Sequence, residues 1–203
     1  MTSAPRHAEP TSVTASPAAA VSADELSDAQ VLRDALASAG SGGKRFRPRL
    51  VRSVHDLLGG DAGPAVDQVA DAVEMLHTAF IVHDDVIDGD DLRRGLPSTP
   101  GRFHADALRV GAPAAAARSF ATAGAILTGD LLFSKASGVT AKLGPEAVRI
   151  QAETFERLVL GQLNEFAGPP EGADEIEHYI QVLADKTGSL IAAAAQAGVI
   201  FSD

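Results

Sequence analysis

The residues best suited to chemistry lie in one stretch, Glu74 to Gly95, which contains five aspartates, two histidines and two adjacent arginines. Residues three, four and seven positions apart share a face of an α-helix, so His77, Asp84 and Asp88 form one stripe. Two carboxylates one turn apart suit Mg²⁺, which takes hard oxygen ligands and completes its shell with water and substrate phosphates. The stretch therefore indicates a metal-diphosphate site, and a solvated acidic helix end is the alternative.

The residues that precede the aspartates weaken the alternative. Thr78 to Val82 carry no charge, so the helix is predicted to be buried up to Asp84. Buried carboxylates need a partner, which is a cation or a hydrogen-bond donor.

Basic residues occur at two further places in this acidic chain. Ser41 to Arg49 combines a glycine pair with four basic residues, a composition that can bind phosphate through backbone amides and bidentate donors or can simply be a solvated turn. Arg93 and Arg94 follow the acidic helix on a loop, where they either pair with the aspartates or hold phosphates. Lys186, amid small residues, can be an ordinary exposed lysine, and Asp130 is predicted to be a capped or paired buried acid.

Helices must position these residues, because the hydrophobic periodicity is helical and no strand pairs are recognisable. The predicted helices run from a cap at Ser22 to about residue 39, and over about 48–58, 65–88, 114–137, 145–167 and 174–200. Glycines between 89 and 101 predict a loop. Residues 1–22 are rich in Ala, Ser, Thr and Pro and are predicted to form a disordered tail. The chain is therefore predicted to be all-α.

Composition limits the class of protein. A length of 203 residues with 45% apolar residues predicts one domain. The absence of cysteine excludes disulfides, cysteine-zinc sites and thiol nucleophiles from this sequence. A formal charge of −10 argues against a nucleic-acid partner. No apolar run is long enough for a membrane span and no signal-peptide core is present, so a cytoplasmic location is expected.

Several motifs occur together and in a fixed order. They are Gly43-Lys44-Arg45-Phe46-Arg47-Pro48, His77, Asp84-Asp85-Val86-Ile87-Asp88, Arg93-Arg94-Gly95, Gly161-Gln162 and Lys186-Thr187-Gly188. This combination resembles the trans-isoprenyl diphosphate synthases (polyprenyl synthetases) over residues 24 to 203. The resemblance implies an isoprenoid-synthase-type helical bundle around a central cavity. It also implies head-to-tail condensation of isopentenyl diphosphate with an allylic diphosphate.

The resemblance assigns roles to individual residues. It makes Asp84 and Asp88 the Mg²⁺ ligands, with Asp85 in support. It implies that isopentenyl diphosphate is bound by Lys44, Arg47, His77 and Arg94. It implies that the allylic diphosphate is bound by Arg93 and Lys186, with Gln162 and Thr187 lining the same site.

Phe80 and Ala79, which precede the aspartates, are predicted to influence the length of the product. Phe80 lies four residues before Asp84 on the same stripe, about 6 Å along the helix, where a growing prenyl tail would pass. Its ring is predicted to act as a floor, while the small side chain of Ala79 leaves some room. A farnesyl or geranylgeranyl product is therefore expected.

The sequence departs from the family at its end. Family members carry a second aspartate-rich motif after the Lys-Thr motif, whereas this sequence stops at Asp203, so the C-terminal helices of the bundle are expected to be missing. The expected reading is a truncated polyprenyl synthetase domain over 23–203, a fragment of a longer enzyme. A non-catalytic or regulatory subunit, or an enzyme completed across a homodimer or heterodimer, are alternatives. A terpene cyclase is less favoured, because it would lack the segment Gly43–Pro48 and the pair Arg93-Arg94.

Overall fold

The computed structural model describes residues 28–40, 43–61 and 63–202. The helices are α1 (Asp28–Ala39), α2 (Phe46–Leu57), α3 (Pro64–Ile87), α4 (Thr99–Arg109), α5 (Ala114–Leu143), α6 (Pro145–Ala167), α7 (Glu175–Leu183) and α8 (Ser189–Ile200), with a π-helical turn at Ala184–Gly188 between the last two. The prediction of an all-α fold is confirmed. The predicted tail 1–22 and the predicted cap Ser22 lie outside the described residues.

Proline sets the start of two long helices. α3 begins at Pro64 and α6 at Pro145, each directly after a glycine. Proline suits the first helical position because its φ is already helical and its missing N–H would have no partner there. These starts agree with the predicted helices at 65–88 and 145–167 to within one residue, whereas α2 begins two residues earlier than predicted.

The loop predicted at 89–101 contains more structure than expected. Two short strands, β1 (Leu92–Arg93) and β2 (Leu96–Pro97), pair in antiparallel fashion, so the prediction of no strand pairs was wrong. Arg94 and Gly95 form the turn with positive φ values of 55° and 78°, as two-residue hairpin turns of this hand require. The strands form a hairpin whose tip carries Arg93 and Arg94.

Helix α4 was not predicted. The Ser98 Oγ accepts a hydrogen bond from the Gly101 N–H at 3.1 Å and caps the helix. Gly101 is required there, because a Cβ at this position would lie 2.1 Å from the Asp91 carbonyl oxygen. Glycine was interpreted as a helix breaker, whereas here it permits close contact between the hairpin and the first turn of a helix.

Helix α3 lies at the centre of the bundle. Its buried side chains cover most of its circumference rather than one stripe, as expected of a helix with neighbours on several sides. The main core joins α3 to α2, α5, α6 and α8, through Val51, Val66, Val69, Ala70, Val73, Leu76, Phe80, Ala136, Leu158, Leu190, Ala194 and Ala197. Each large apolar side chain buried in this way contributes about 1.5–3 kcal/mol.

A cavity of about 20 Å³ lies inside the bundle, about the space of one water molecule. α3 lines it with Val69, Val73 and Leu76, and its wall is almost entirely apolar. The cavity lies on the N-terminal side of Phe80 along α3. None of the described helices combines the length and the apolar character needed to cross a membrane.

Candidate active site

The last turn of α3 carries the three aspartates of the motif in different environments. The Asp84 side chain is 13% exposed and that of Asp85 only 3%, whereas Asp88 is exposed. Burial raises the pKa of Asp85, and the hydrogen bond and charge of Arg93 offset this in part. Partial burial and the charge of Asp84 likewise raise the pKa of Asp88. Negative charge is therefore crowded at this helix end, and a bound cation would relieve it.

Two side-chain cations reach Asp84 from different elements. Arg93 Nη2, on the hairpin, lies 3.2 Å from Asp84 Oδ2, and Arg93 Nε donates to Asp85 Oδ1 at 2.5 Å. Lys186 Nζ lies 2.9 Å from Asp84 Oδ1 and also contacts Glu165 Oε2. Lys186 and this buried oxygen form an ion pair. Arg93 thus pairs with both aspartates.

The π-helical turn brings Lys186 to this position. Gly161 on α6 allows the close approach, because a Cβ there would lie 2.9 Å from the Lys186 backbone nitrogen. The neighbouring Asp185 is held elsewhere, by Arg157 Nε at 2.8 Å and Gln181 Nε2 at 2.7 Å. The Lys186 side chain is 20% exposed, so the reading of an ordinary exposed lysine was wrong. π turns inside α-helices are frequently found at functional sites.

Gln162 and Thr187 were also predicted to line this site. Thr187 follows Lys186 in the chain, and Gln162 follows Gly161 at the contact between α6 and the π turn. Gln162 is buried, and its Oε1 has no hydrogen-bond partner within the described part of the chain. Thr187 is exposed in the π turn. Gln162 therefore retains acceptor capacity beside the lysine.

A second basic region lies where α2, α3 and the hairpin meet. Burial lowers the pKa of Arg47, with Glu74 acting in the opposite sense, and the buried Arg47 Nε has no hydrogen-bond partner among the described residues. Burial, followed by the charges of Arg47, Arg94 and Arg93, lowers the pKa of His77 to about 4. His77 is therefore neutral near pH 7 and lies within reach of the charges of three arginines.

The glycine-rich turn completes this region. A Cβ at Gly43, whose φ is +79°, would lie 3.4 Å from Arg94 Nη1, so the turn runs beside the arginine of the hairpin. Lys44 is exposed on the same turn. The structure thus brings together the basic turn, His77 and the hairpin, which are separated by up to 50 residues in the sequence.

The two residues predicted to set product length are both buried but face different neighbours. Phe80 belongs to the main core with Leu76 and Leu158. Ala79 instead packs against Leu132 on α5, in a separate cluster. Phe80 therefore faces the interior of the bundle, whereas Ala79 lies at the contact between α3 and α5.

Asp84 and Asp88 form a donor set of the kind that Mg²⁺ requires. They provide hard oxygen donors one turn apart, and the buried Asp84 Oδ1 already lies 2.9 Å from the cation of Lys186. Within residues 28–40, 43–61 and 63–202, no three His, Asp or Glu side chains are grouped so as to hold a metal ion by themselves. These two carboxylates fit a magnesium ion that takes its remaining ligands from substrate and water.

The ion pairs of Glu165 and Asp130 differ from what the sequence predicted. Glu165 was given no role, although it lies one turn after Gly161 and therefore on the same face of α6. Asp130 is exposed rather than buried, and it lies 3.3 Å from His83 Nε2, which also lies 3.2 Å from the Ile126 carbonyl oxygen. The expected pairing of Asp130 is confirmed, and its expected burial was wrong.

The polyprenyl synthetase family model matches residues 29–203. The chain belongs to the polyprenyl synthetase family. Among its relatives, a nonaprenyl diphosphate synthase of Mycobacterium tuberculosis is 42% identical over 167 residues, which cover 80% of this chain and 43% of the relative. A dimethylallyltranstransferase of the same organism is 37% identical over 180 residues, covering 88% of this chain and 50% of the relative.

Solved structures of the polyprenyl synthetase family agree with the fold. A geranylgeranyl pyrophosphate synthase from Corynebacterium glutamicum, complexed with calcium and isoprenyl diphosphate, superposes with a TM-score of 0.68 at 34% identity. The match covers 85% of this chain and 48% of that chain. The chain spans about half the length of the curated relatives it matches.

Proposed function

We propose that this polyprenyl synthetase chain condenses isopentenyl diphosphate head to tail with an allylic diphosphate in the presence of Mg²⁺. The observation that carries the proposal is the meeting of two basic regions at the aspartate end of α3. One contains Arg93 and Lys186 on Asp84, and the other contains Arg47 and His77. Arg93 borders both, since its charge also acts on His77. Two diphosphates could therefore bind side by side.

The allylic diphosphate is assigned to the region around Asp84. Asp84 and Asp88 would hold the magnesium, which when bound supplies positive charge to the diphosphate oxygens. Arg93 and Lys186 are already at this place and would bind the same oxygens, with Gln162 and Thr187 beside them. Cations fixed in advance where negative charge develops stabilise a departing anion without reorganisation.

Isopentenyl diphosphate is assigned to the region of Arg47, His77, Arg94 and Lys44. Arg47 Nε is a buried donor that no acceptor in the described ranges satisfies, and a phosphate oxygen would satisfy it. His77 is neutral and can donate one hydrogen bond. Burial and then the arginine charges lower the pKa of His77, and an anion here would offset the second of these causes.

The reaction would need no protein nucleophile. The bond between the allylic carbon and the diphosphate oxygen breaks, and the electron pair leaves with the diphosphate. The double bond of isopentenyl diphosphate forms the new carbon–carbon bond, and one proton is lost to the departing diphosphate. The chain contributes positioning and charge.

We further propose a short product, farnesyl or geranylgeranyl diphosphate. The names of the relatives extend from dimethylallyl to nonaprenyl and do not select a length. The support for a short product is Phe80, which is buried about 6 Å from Asp84 along α3. On the side of Phe80 away from Asp84, the cavity lined by Val69, Val73 and Leu76 has room for about one water molecule.

We also propose that the chain acts with a second copy of itself. Ile176, Tyr179, Ile180 and Leu183 lie on one face of α7 and are each at least 45% exposed, an apolar stripe of the kind that marks interfaces. Size-exclusion chromatography with light scattering tests this. A monomer would contradict the proposal, and a heterodimer is the alternative, since one relative is named heptaprenyl diphosphate synthase component 2.

The activity test compares the wild-type chain with Asp84→Ala. We expect incorporation of labelled isopentenyl diphosphate into an allylic primer with Mg²⁺, and a loss of about a hundredfold or more in the variant. Asp67→Ala is the matched control, because Asp67 is an exposed aspartate on the same helix about 25 Å away. A folded wild-type chain that binds the substrates but incorporates nothing would favour the non-catalytic subunit.

A further inference from the structure

Both carboxylate oxygens of Asp84 are engaged by cations of the chain itself. Arg93 Nη2 lies 3.2 Å from Oδ2, and Lys186 Nζ lies 2.9 Å from Oδ1. Each of these cations holds a second carboxylate as well. Arg93 Nε donates to Asp85 at 2.5 Å, and Lys186 contacts Glu165. Asp84 is thus shared by two cations, each of which has one further partner.

This arrangement has a consequence for any metal ion that binds Asp84. The ion needs the oxygens that Lys186 and Arg93 contact, and it would repel both cations at ion-pair distance. Metal binding therefore requires the cations to withdraw from Asp84. The second carboxylates lower the cost of that withdrawal, because neither cation is left buried without a counter-ion.

We propose that Lys186 and Arg93 are exchangeable counter-ions of Asp84. They hold the carboxylate until a metal-diphosphate takes it over, and the diphosphate oxygens then receive the two cations. Glu165 is the positioning residue that keeps Lys186 in the site during the exchange, as Asp85 does for Arg93. Metal and diphosphate consequently bind with positive cooperativity, which is reciprocal by linkage. The inference rests on the proposed function, since that assigns the metal to Asp84.

The surroundings of Lys186 allow its ammonium group to move from Asp84 while it stays in contact with Glu165. Its backbone is fixed by the π turn and by the contact with Gly161, so only the side chain can turn. The adjacent carboxylate, Asp185, is occupied by Arg157 and Gln181 and does not compete for the lysine. Glu165 is therefore the second partner that the described structure offers to Lys186.

The first experiment measures Mn²⁺ binding to the full chain by electron paramagnetic resonance, without diphosphate. We expect Lys186→Gln to bind Mn²⁺ about tenfold more tightly than wild type, because the competing ion pair is partly buried. Arg149→Gln removes the same charge from an exposed position of α6, about 24 Å along the helix from Glu165, and we expect less than about a twofold change. Equal Mn²⁺ affinity in wild type and Lys186→Gln, or an equal gain in Arg149→Gln, would overturn the exchange.

The second experiment measures binding of the Mn²⁺–pyrophosphate complex by calorimetry. Lys186→Gln should bind this complex more weakly than wild type, although it binds Mn²⁺ alone more tightly. A change of the same sign for both probes would overturn the proposal. Circular dichroism checks that each variant is folded.

The role of Glu165 is tested by a double-mutant cycle. Glu165→Gln should weaken Mn²⁺ binding when Lys186 is present, because the lysine then pairs more firmly with Asp84, and should have little effect in the Lys186→Gln background. Equal weakening in both backgrounds would make Glu165 a direct ligand and end the positioning role.

The proposed function itself would fail in a different way. If wild type bound no Mn²⁺–pyrophosphate, or bound it equally well in Asp84→Asn, the metal would not be on Asp84 and both proposals would be wrong. If binding depended on Asp84 but did not respond to Lys186→Gln, only the exchange would be wrong.

Discussion

The neutral state of His77 predicts how stability depends on pH. The pKa of His77 is lowered from 6.5 to about 4, first by burial and then by the charges of Arg47, Arg94 and Arg93. The unfolded chain takes up this proton near pH 6.5, whereas the folded chain resists it down to about pH 4. The stability that His77 contributes is therefore complete above pH 6.5 and is lost as the pH falls toward 4.

The expected size follows from the two pKa values. Between pH 7.5 and pH 5, a histidine with a pKa of 6.5 unfolded and about 4 folded costs about 2 kcal/mol of unfolding free energy. Most carboxylates stay ionised over this range, so the histidine contribution can be isolated. In His77→Gln the side chain is neutral at every pH and the contribution disappears.

The assay is urea unfolding followed by circular dichroism at both pH values. We expect wild type to lose about 2 kcal/mol more than His77→Gln between pH 7.5 and pH 5. Taking the difference cancels the contributions of all other titrating groups. His178→Gln, on α7, should keep the wild-type dependence. The same pH dependence in wild type and His77→Gln would show that His77 is not held neutral, and the argument for a crowded cationic region would fail.

Three further predictions concern packing, charge and product length. Gly129→Ala should lower the unfolding free energy by about 1–3 kcal/mol, because its Cβ would lie 2.3 Å from the His83 ring. Gly138→Ala, on the same helix, meets open space and should raise the unfolding free energy by about 0.5–1 kcal/mol. Equal effects of the two substitutions would contradict the contact between Gly129 and His83. Arg93→Gln leaves a buried carboxylate unpaired and should cost about 3–5 kcal/mol of unfolding free energy, measured by the same unfolding assay. The exposed Arg118→Gln should cost much less. Phe80→Ala should cost about 3–5 kcal/mol and lengthen the products separated by chromatography, and an unchanged product distribution would refute the floor.

Residue types within a few positions of each other were sufficient to predict much of the fold. The helices at 65–88 and 145–167 were predicted nearly to the residue, because proline at the first turn and glycine before it act within a few positions. The family was predicted from short motifs, such as those that contain Asp84, Arg93 and Lys186, and the family model confirms it. These features depend on neighbours along the chain, and the sequence contains them directly.

Other features depend on contacts between distant segments. Helix α4 was missed because Gly101 looks like a breaker until the Asp91 carbonyl is placed against it. The π turn at Ala184–Gly188 was missed because its composition matches an ordinary helix, and the close contact with Gly161 accompanies it. Asp130 was predicted to be buried from its apolar neighbours along the chain, although it lies on the outer face of α5.

The sequence alone established the family and the all-α class, because residue type and local spacing determine these. It also supplied the charged residues to which the proposed function assigns two diphosphates. Which cation meets which carboxylate was settled by the packing of the helices. Arg93 lies on Asp84 and Asp85, and Lys186 bridges Asp84 and Glu165. Ion pairs act over a few ångströms between side chains up to about 100 residues apart in the sequence, so they exist only once α3, α6, the hairpin and the π turn are packed together.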